Sequence, residues 1–239
     1  MKTVKFKDLI LFEDDDYILI NKPSDISSLD ERTSNAVNIN GLAKEYWPEA
    51  QVCHRLDKET SGILAIAKNS EAYRNLAIQF EHREVTKKYH AVIDGIHEFK
   101  DLRVNQPIFS ISGGGLVKID KQKGKEAETF FTTLKVFNMH SLIECKPVTG
   151  RMHQIRIHLS YIKAPITGDL QYGGKYVYLS EIKKKFNLKM ETEELPIIKR
   201  VALHAHSLKF MGLKGHLLEI EAPYPKDFAV LLKQLERYS

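Results

Sequence analysis

Two hydrophobic periods can be read along this chain. Residues 9–20 place apolar side chains on either side of Asp14-Asp15-Asp16, which predicts a short hairpin delivering Asn21-Lys22-Pro23 to a strand end. Across 34–46, Ala36, Ile39, Ala43 and Tyr46 keep helical spacing, weakened by Gly41 and stopped by Pro48. Gly62 before Ile63, Leu64 and Ile66 reads as a tight turn entering a buried strand. A helix is predicted over 70–81, capped by Asn69 or Ser70, with Tyr73, Leu76, Ala77 and Phe80 facing inward. Tyr89, Ala91 and Ile93 then alternate as a strand ending at Gly95.

The pattern breaks down over 101–126, where glycines and lysines predict a mobile loop; no Gly-Lys-Ser/Thr follows Gly113-Gly114-Gly115, so it is no P-loop. Residues 129–137 and 141–147 read as paired strands. Thr149-Gly150 opens a helix carrying Ile155, Leu159 and Ile162. A charged connection over 175–200 holds a short helix near 179–186. Strands are predicted at 201–210 and 217–221, and Phe228, Leu231, Leu232 and Leu235 mark a closing amphipathic helix. Strand-rich segments interrupted by single helices, without regular alternation, predict an α+β fold.

At 239 residues, 43% apolar, the chain suits one large domain or two intimately joined halves. Cys53 and Cys145 show no metal or redox spacing, as expected of reduced thiols in a cytoplasmic protein, and Cys53 reads as a small buried hydrophobe. No apolar segment approaches the length of a membrane span, roughly 20 residues. Lysine and arginine exceed aspartate and glutamate by 36 to 31. The excess decides little, but its clustering at Lys118, Lys121, Lys123 and Lys125, and at Lys183-Lys184-Lys185, suits either a solvated face or a track for phosphates.

The chemistry concentrates in His54-Arg55-Leu56-Asp57, followed by Thr60-Ser61-Gly62. A carboxylate pinned to a buried strand costs free energy unless a cation accompanies it. This wording resembles the catalytic motif of the RluA-type pseudouridine synthases. Further matches follow family order at Asn21-Lys22-Pro23, Lys88-Tyr89 with Ala91 and Gly95, Gly124-Lys125-Glu126-Ala127, and Thr149-Gly150-Arg151-Met152-His153-Gln154-Ile155-Arg156-Ile157-His158.

The resemblance implies a mixed, largely antiparallel central sheet in two halves, with flanking helices and a catalytic cleft between them. It implies a single catalytic domain over 1–239, without the N-terminal S4 domain that many relatives carry. The reaction breaks the bond from ribose C1′ to uracil N1, turns the base and rejoins it through C5, with no cofactor and no metal. Asp57 would act by covalent addition or by removing a sugar proton, and the sequence leaves both open. By the family's pattern Arg156 pairs with Asp57 and Tyr89 stacks on the extruded uracil; Arg55 enters the vacated RNA stack. Arg151 and His153 sit at a helix start suited to phosphate. Lys22 lies beside the cleft, although Asp25 stands where the family usually has glycine, so the backbone there is expected to differ.

The expected partner is a stem-loop of ribosomal RNA, transfer RNA or both, and the expected state a monomer. A non-catalytic RNA-binding or chaperone protein retaining the fold is the alternative. A metal hydrolase built on His153, His158, His204 and His206 fits no helix-borne zinc spacing.

Overall fold

The computed structural model describes residues 4–30, 36–111, 115–184, 186–187 and 193–239. They group into two compact units, one made of the chain up to Tyr89 with His204–Pro223, the other of His90–Leu203 with Tyr224–Ser239. Elements are numbered in chain order.

In the first unit, β1 (Ile10–Glu13) and β2 (Tyr17–Lys22) form the expected hairpin. Its turn closes because Asp14 Oδ1 accepts the N–H groups of Asp16 and Tyr17 at 2.8 and 2.6 Å. β2 pairs antiparallel with β4 (Ser61–Ala67), every residue of which is buried, and the two-residue β3 (Gln51–Val52) also pairs with β4. β11 (Leu203–Met211) runs parallel to β4 at His204 and Ala205, and antiparallel to β12 (Leu217–Glu221). At that parallel contact Gly62 has φ +116, and a Cβ on it would overlap the Ala205 carbonyl oxygen, so only glycine lets β4 start there.

Two helices cover this sheet. α1 (Ile39–Tyr46) starts later than its spacing predicts because Asn38 caps it, its Oδ1 accepting Gly41 N–H at 2.9 Å; residues 31–35 lie outside the described residues. α2 (Ser70–Glu81) has the expected bounds, with Asn69 Oδ1 accepting Ala72 N–H at 2.8 Å. Its inward stripe is Ala72, Leu76 and Gln79, while Tyr73 is exposed. The helix is rotated from the apolar prediction because the Gln79 amide exchanges two 2.8 Å hydrogen bonds with the Met211 backbone at the end of β11. A buried amide that mimics a peptide partner outweighs a tyrosine left partly in water.

In the second unit, the later part of β5 (Thr86–Asp94) lies beside β10 (His140–Pro147), followed by β9 (Glu128–Val136) and β6 (Leu102–Asn105). β9 and β10 are the predicted antiparallel pair. The stretch expected as a mobile loop is instead mostly strand: β6 extends the sheet, and β7 (Ile108–Ile111) and β8 (Leu116–Ile119) form a separate hairpin. Ile108 and Val117 turn inward onto Ala127 and Tyr172, enough apolar cover to order a segment whose other positions are polar. Residues 112–114 lie outside the described residues. α4 (Leu179–Ile182) is shorter than expected, and the basic cluster there includes Lys185, which is not described. α5 (Lys226–Arg237) buries Phe228, Leu231 and Leu235. Its first turn is fixed by a two-point pair from Arg200 to Asp227. Both units are α+β with flanking helices, and β11 running parallel to β4 among antiparallel pairs makes the strand set mixed but largely antiparallel.

Candidate active site

Asp57 sits on an irregular loop between β3 and β4, held on both flanks through its neighbours. The Ser28 hydroxyl donates to the Leu56 carbonyl and accepts the Leu56 N–H, both at 3.0 Å. The Lys58 carbonyl accepts from Asp25 N–H at 2.8 Å and from Lys22 Nζ at 3.2 Å. Asp57's own carbonyl accepts Thr60 N–H at 3.0 Å. Leu56 is buried, Arg55 is exposed and Asp57 is half-buried. Among the described residues of its unit, no hydrogen bond or ion pair takes the Asp57 carboxylate. The loop is anchored through its neighbours and not through the carboxylate.

Lys22, expected to meet RNA, is fully buried. Its ammonium donates to the carbonyls of Pro23, Ile26 and Lys58 at 2.9, 2.8 and 3.2 Å. A buried cation is tolerated only where acceptors replace water, and here they come from the two segments that frame Asp57. Lys22 therefore ties the Asn21-Lys22-Pro23 turn to the Asp57 loop instead of touching a phosphate. Asp25, with φ 67, takes the left-handed conformation that suits glycine.

His54 anchors the start of the loop. Its Nε2 accepts Ala65 N–H at 3.0 Å, so Nδ1 carries the proton, and its ring lies 5.0 Å from that of Phe80. Burial, with a smaller contribution from the Lys87 charge, pushes its pKa down to about 3. The same apolar surroundings lower Lys87, whose ammonium stands 5.9 Å over the Phe80 ring, to about 8. Tyr89, two residues on along β5, is half-buried against the core of the first unit. Burial raises the Cys53 thiol to about 12, which makes it an unreactive packing group, as the sequence suggested.

The Thr149–His158 block lies in the second unit. α3 (Gln154–Tyr161) begins after a turn in which His153 has φ 52. Gln154 builds that turn: its Oε1 accepts from the Thr149 hydroxyl at 2.7 Å and from Arg151 N–H at 3.0 Å. Its Nε2 donates to the Glu128 carbonyl and Thr129 hydroxyl. Arg151 is exposed, its Nε donating to the Glu126 carbonyl. His153 Nδ1 hydrogen-bonds the Tyr172 hydroxyl at 2.9 Å, and that hydroxyl accepts Val117 N–H, linking the helix start to β8.

Arg156 is 4% exposed. Its Nε and Nη2 donate to Asp169 Oδ2 and Oδ1 at 2.7 and 2.8 Å, and Nη2 also donates to Gln171 Oε1 at 2.8 Å. The guanidinium lies 5.0 Å over the Tyr172 ring. The resemblance implied Asp57 as its partner; within its own unit the partner is Asp169. Asp169 and Gln171 were missed in the sequence. Their only signal was the turn punctuation of Gly168, Gly173 and Gly174. Both ring nitrogens of His158 (to Thr129 and Gln106) and of His204 (to Ser61 and Ala222) are hydrogen-bonded, and the two residues belong to different units. Among the described residues, no group of three or more His, Cys, Asp or Glu side chains is placed to hold a metal.

Asp57, Arg55 and Tyr89 thus belong to the first unit, and Arg156, Arg151 and His153 to the second. Residues 16–161 match the family described as RNA pseudouridylate synthase, and the chain belongs to it. It is 36% identical over 98% of its length to the ribosomal large subunit pseudouridine synthase C of Buchnera aphidicola subsp. Baizongia pistaciae, covering 72% of that protein. It is 33% identical over 95% of its length to ribosomal large subunit pseudouridine synthase D of Haemophilus influenzae, covering 70% of that protein. The solved structure of human RNA pseudouridylate synthase domain containing 4 superposes with a TM-score of 0.71 at 25% identity, covering 97% of this chain and 95% of that one. The protein is an enzyme that isomerises uridine in RNA to pseudouridine.

Proposed function

We propose that this synthase modifies ribosomal RNA, with Asp57 as the reacting carboxylate, Tyr89 as the platform for the extruded uracil, and Arg156 as the cation of the site. The observation that carries the reading is the Asp57 loop: its neighbours are fixed by Ser28, Asp25 and Lys22, and within its unit its carboxylate is uncommitted. A carboxylate that adds to the sugar or base, or removes a sugar proton, needs both a fixed position and an accessible oxygen. Arg55, exposed two residues earlier, extends toward solvent where it can fill a vacated stack, and Arg151 with His153 can meet the RNA backbone. The names of the relatives of synthase C and D type support the ribosomal substrate, and a cytoplasmic location is the reading that goes with it. No helix among the described residues is long and apolar enough to cross a membrane. The two units act as one catalytic domain in a monomer that needs neither metal nor cofactor.

The test is Asp57→Asn assayed on an unmodified large-subunit ribosomal RNA transcript. The variant is expected to bind the transcript as the wild type does and to form no pseudouridine. Turnover above about a thousandth of wild type would remove Asp57 from its role. Wild-type binding without any isomer formed would favour the non-catalytic alternative.

A further inference from the structure

Gln171 carries a donor that no other described residue uses. It lies on the 3₁₀ turn Leu170–Tyr172, exposed, beside a Leu170 that is 59% exposed. The turn beneath it is rigid. Asp169's carbonyl accepts from Tyr172 N–H and Gly174 N–H at 3.1 and 2.8 Å, and Asp169 is locked to Arg156. Gly174 and Gly168 pack so closely that a Cβ on either would overlap the carbonyl oxygen of Ile166 or Arg200.

A guanidinium can only donate, so the Gln171 amide must turn its oxygen toward Arg156, and the 2.8 Å contact is made that way. The same constraint turns the amide NH₂ the other way, out of the protein. Among the described residues that NH₂ has no partner. An exposed glutamine normally rotates among several conformers; this one is held at its oxygen end by a 4%-exposed arginine and offers its two N–H groups at a fixed place.

We propose that Gln171 is a substrate-contacting residue whose side-chain N–H donates to an acceptor oxygen of the RNA nucleotide bound at Arg156. The inference rests on the reading that Arg156 belongs to the site where uridine reacts. A backbone phosphate and a uracil carbonyl are the two sources of such an oxygen; each accepts, and neither offers a competing proton.

The experiment compares Gln171→Glu with Gln171→Ala in the full chain, on the unmodified large-subunit ribosomal RNA transcript, with Asp57→Asn alongside. Glutamate keeps an oxygen toward Arg156 but replaces the outward NH₂ by a second oxygen that repels an acceptor. Gln171→Glu is expected to raise KM about tenfold with kcat within about twofold, and Gln171→Ala to raise KM about threefold, with both melting as wild type does. If Gln171 merely supported Arg156, the order would reverse, because glutamate strengthens the contact to the guanidinium; that order, or an unchanged KM in Gln171→Glu, overturns the proposal. Turnover by Asp57→Asn would instead remove the underlying reading of the site. A neutral methylphosphonate linkage next to the converted uridine assigns the oxygen: the Gln171→Glu deficit shrinks if it is a phosphate and persists if it is a carbonyl.

Discussion

Asp169 is 1% exposed and both its oxygens are taken by the Arg156 guanidinium, whereas Asp57 is half-buried on a loop gripped through its neighbours by Ser28, Asp25, Lys22 and His54. Sequence treats the two alike: each is an acid in a turn near a glycine. Their surroundings separate them. A carboxylate held at both oxygens by a buried cation is scaffold, because moving it strands a charge. A carboxylate whose neighbours are fixed, while it carries no contact within its unit, has been positioned without being used up. The acid proposed to react is thus distinguished by what holds its loop more than by what touches its side chain.

The largest effects test this division directly. Asp57→Asn should lose pseudouridine formation by a factor of about a thousand or more and change stability by less than about 0.5 kcal/mol, since no structural partner is lost. Asp169→Ala should cost about 3–5 kcal/mol by leaving Arg156 buried without its partner. Urea denaturation and turnover on the same preparations would show the two variants at opposite corners. If Asp169→Ala is as stable as the wild type, the pair is not scaffold.

Next in size is Lys22→Met, which leaves three carbonyls around the Asp57 loop without their shared donor. A stability loss of about 2–3 kcal/mol is expected, together with a fall in kcat and little change in KM. The reverse pattern, a raised KM with an unchanged melting temperature, would return Lys22 to the RNA surface.

Lys22 also shows where the sequence stops being readable. The family wording singled out Asp57, Tyr89 and Arg156 as candidates, and periodicity located β1, β2, α2, β9, β10 and α5, because burying one face of an element imposes a period on its residues. Lys22 escaped because a lysine before a proline carries no mark of burial; its acceptors lie 36 residues away at Lys58 and in its own turn. Asp169 escaped because a carboxylate's partner is a matter of tertiary proximity, here 13 residues from Arg156. β7 and β8 escaped because only Ile108 and Val117 of the pair are buried, too few to show a period of two against lysines and glycines. The α2 stripe was misread for a related reason: a scale of apolarity cannot see that the Gln79 amide substitutes for a strand partner at Met211.

An effect of similar size is set by pH, and it falls on the Asp57 side. His54 titrates near 6.5 in the unfolded chain, while burial holds it at about 3 in the fold. Between those values the unfolded state binds the extra proton, so the stability held at neutral pH drains away as pH falls from about 6.5 toward 3. From pH 7 to pH 4.5 His54 alone should remove about 2–3 kcal/mol. His140 and His158, both lowered by burial, add to the loss from the second unit. The Arg156 guanidinium keeps its charge throughout this range. Chemical denaturation of wild type and His54→Asn at the two pH values isolates the effect: the variant is less stable at pH 7 but should lose less on acidification, and equal slopes would mean that His54 is not held neutral.

The smallest effect concerns Asp25, which sits at φ 67 and gives its N–H to the Lys58 carbonyl. A left-handed residue with a Cβ is strained by about 1 kcal/mol, less for aspartate than for most, and glycine relieves that strain at some entropic cost in the unfolded chain. Asp25→Gly is therefore expected to match or exceed the wild type by up to about 0.5 kcal/mol, while Asp25→Val should lose more than about 1 kcal/mol and lower kcat, because a β-branched residue cannot hold the turn that presents its N–H. Thermal melts of the two variants side by side decide the matter. Should valine be as well tolerated as glycine, the turn at Asp25 contributes nothing to fixing the Asp57 loop, and that grip rests on Lys22, Ser28 and His54.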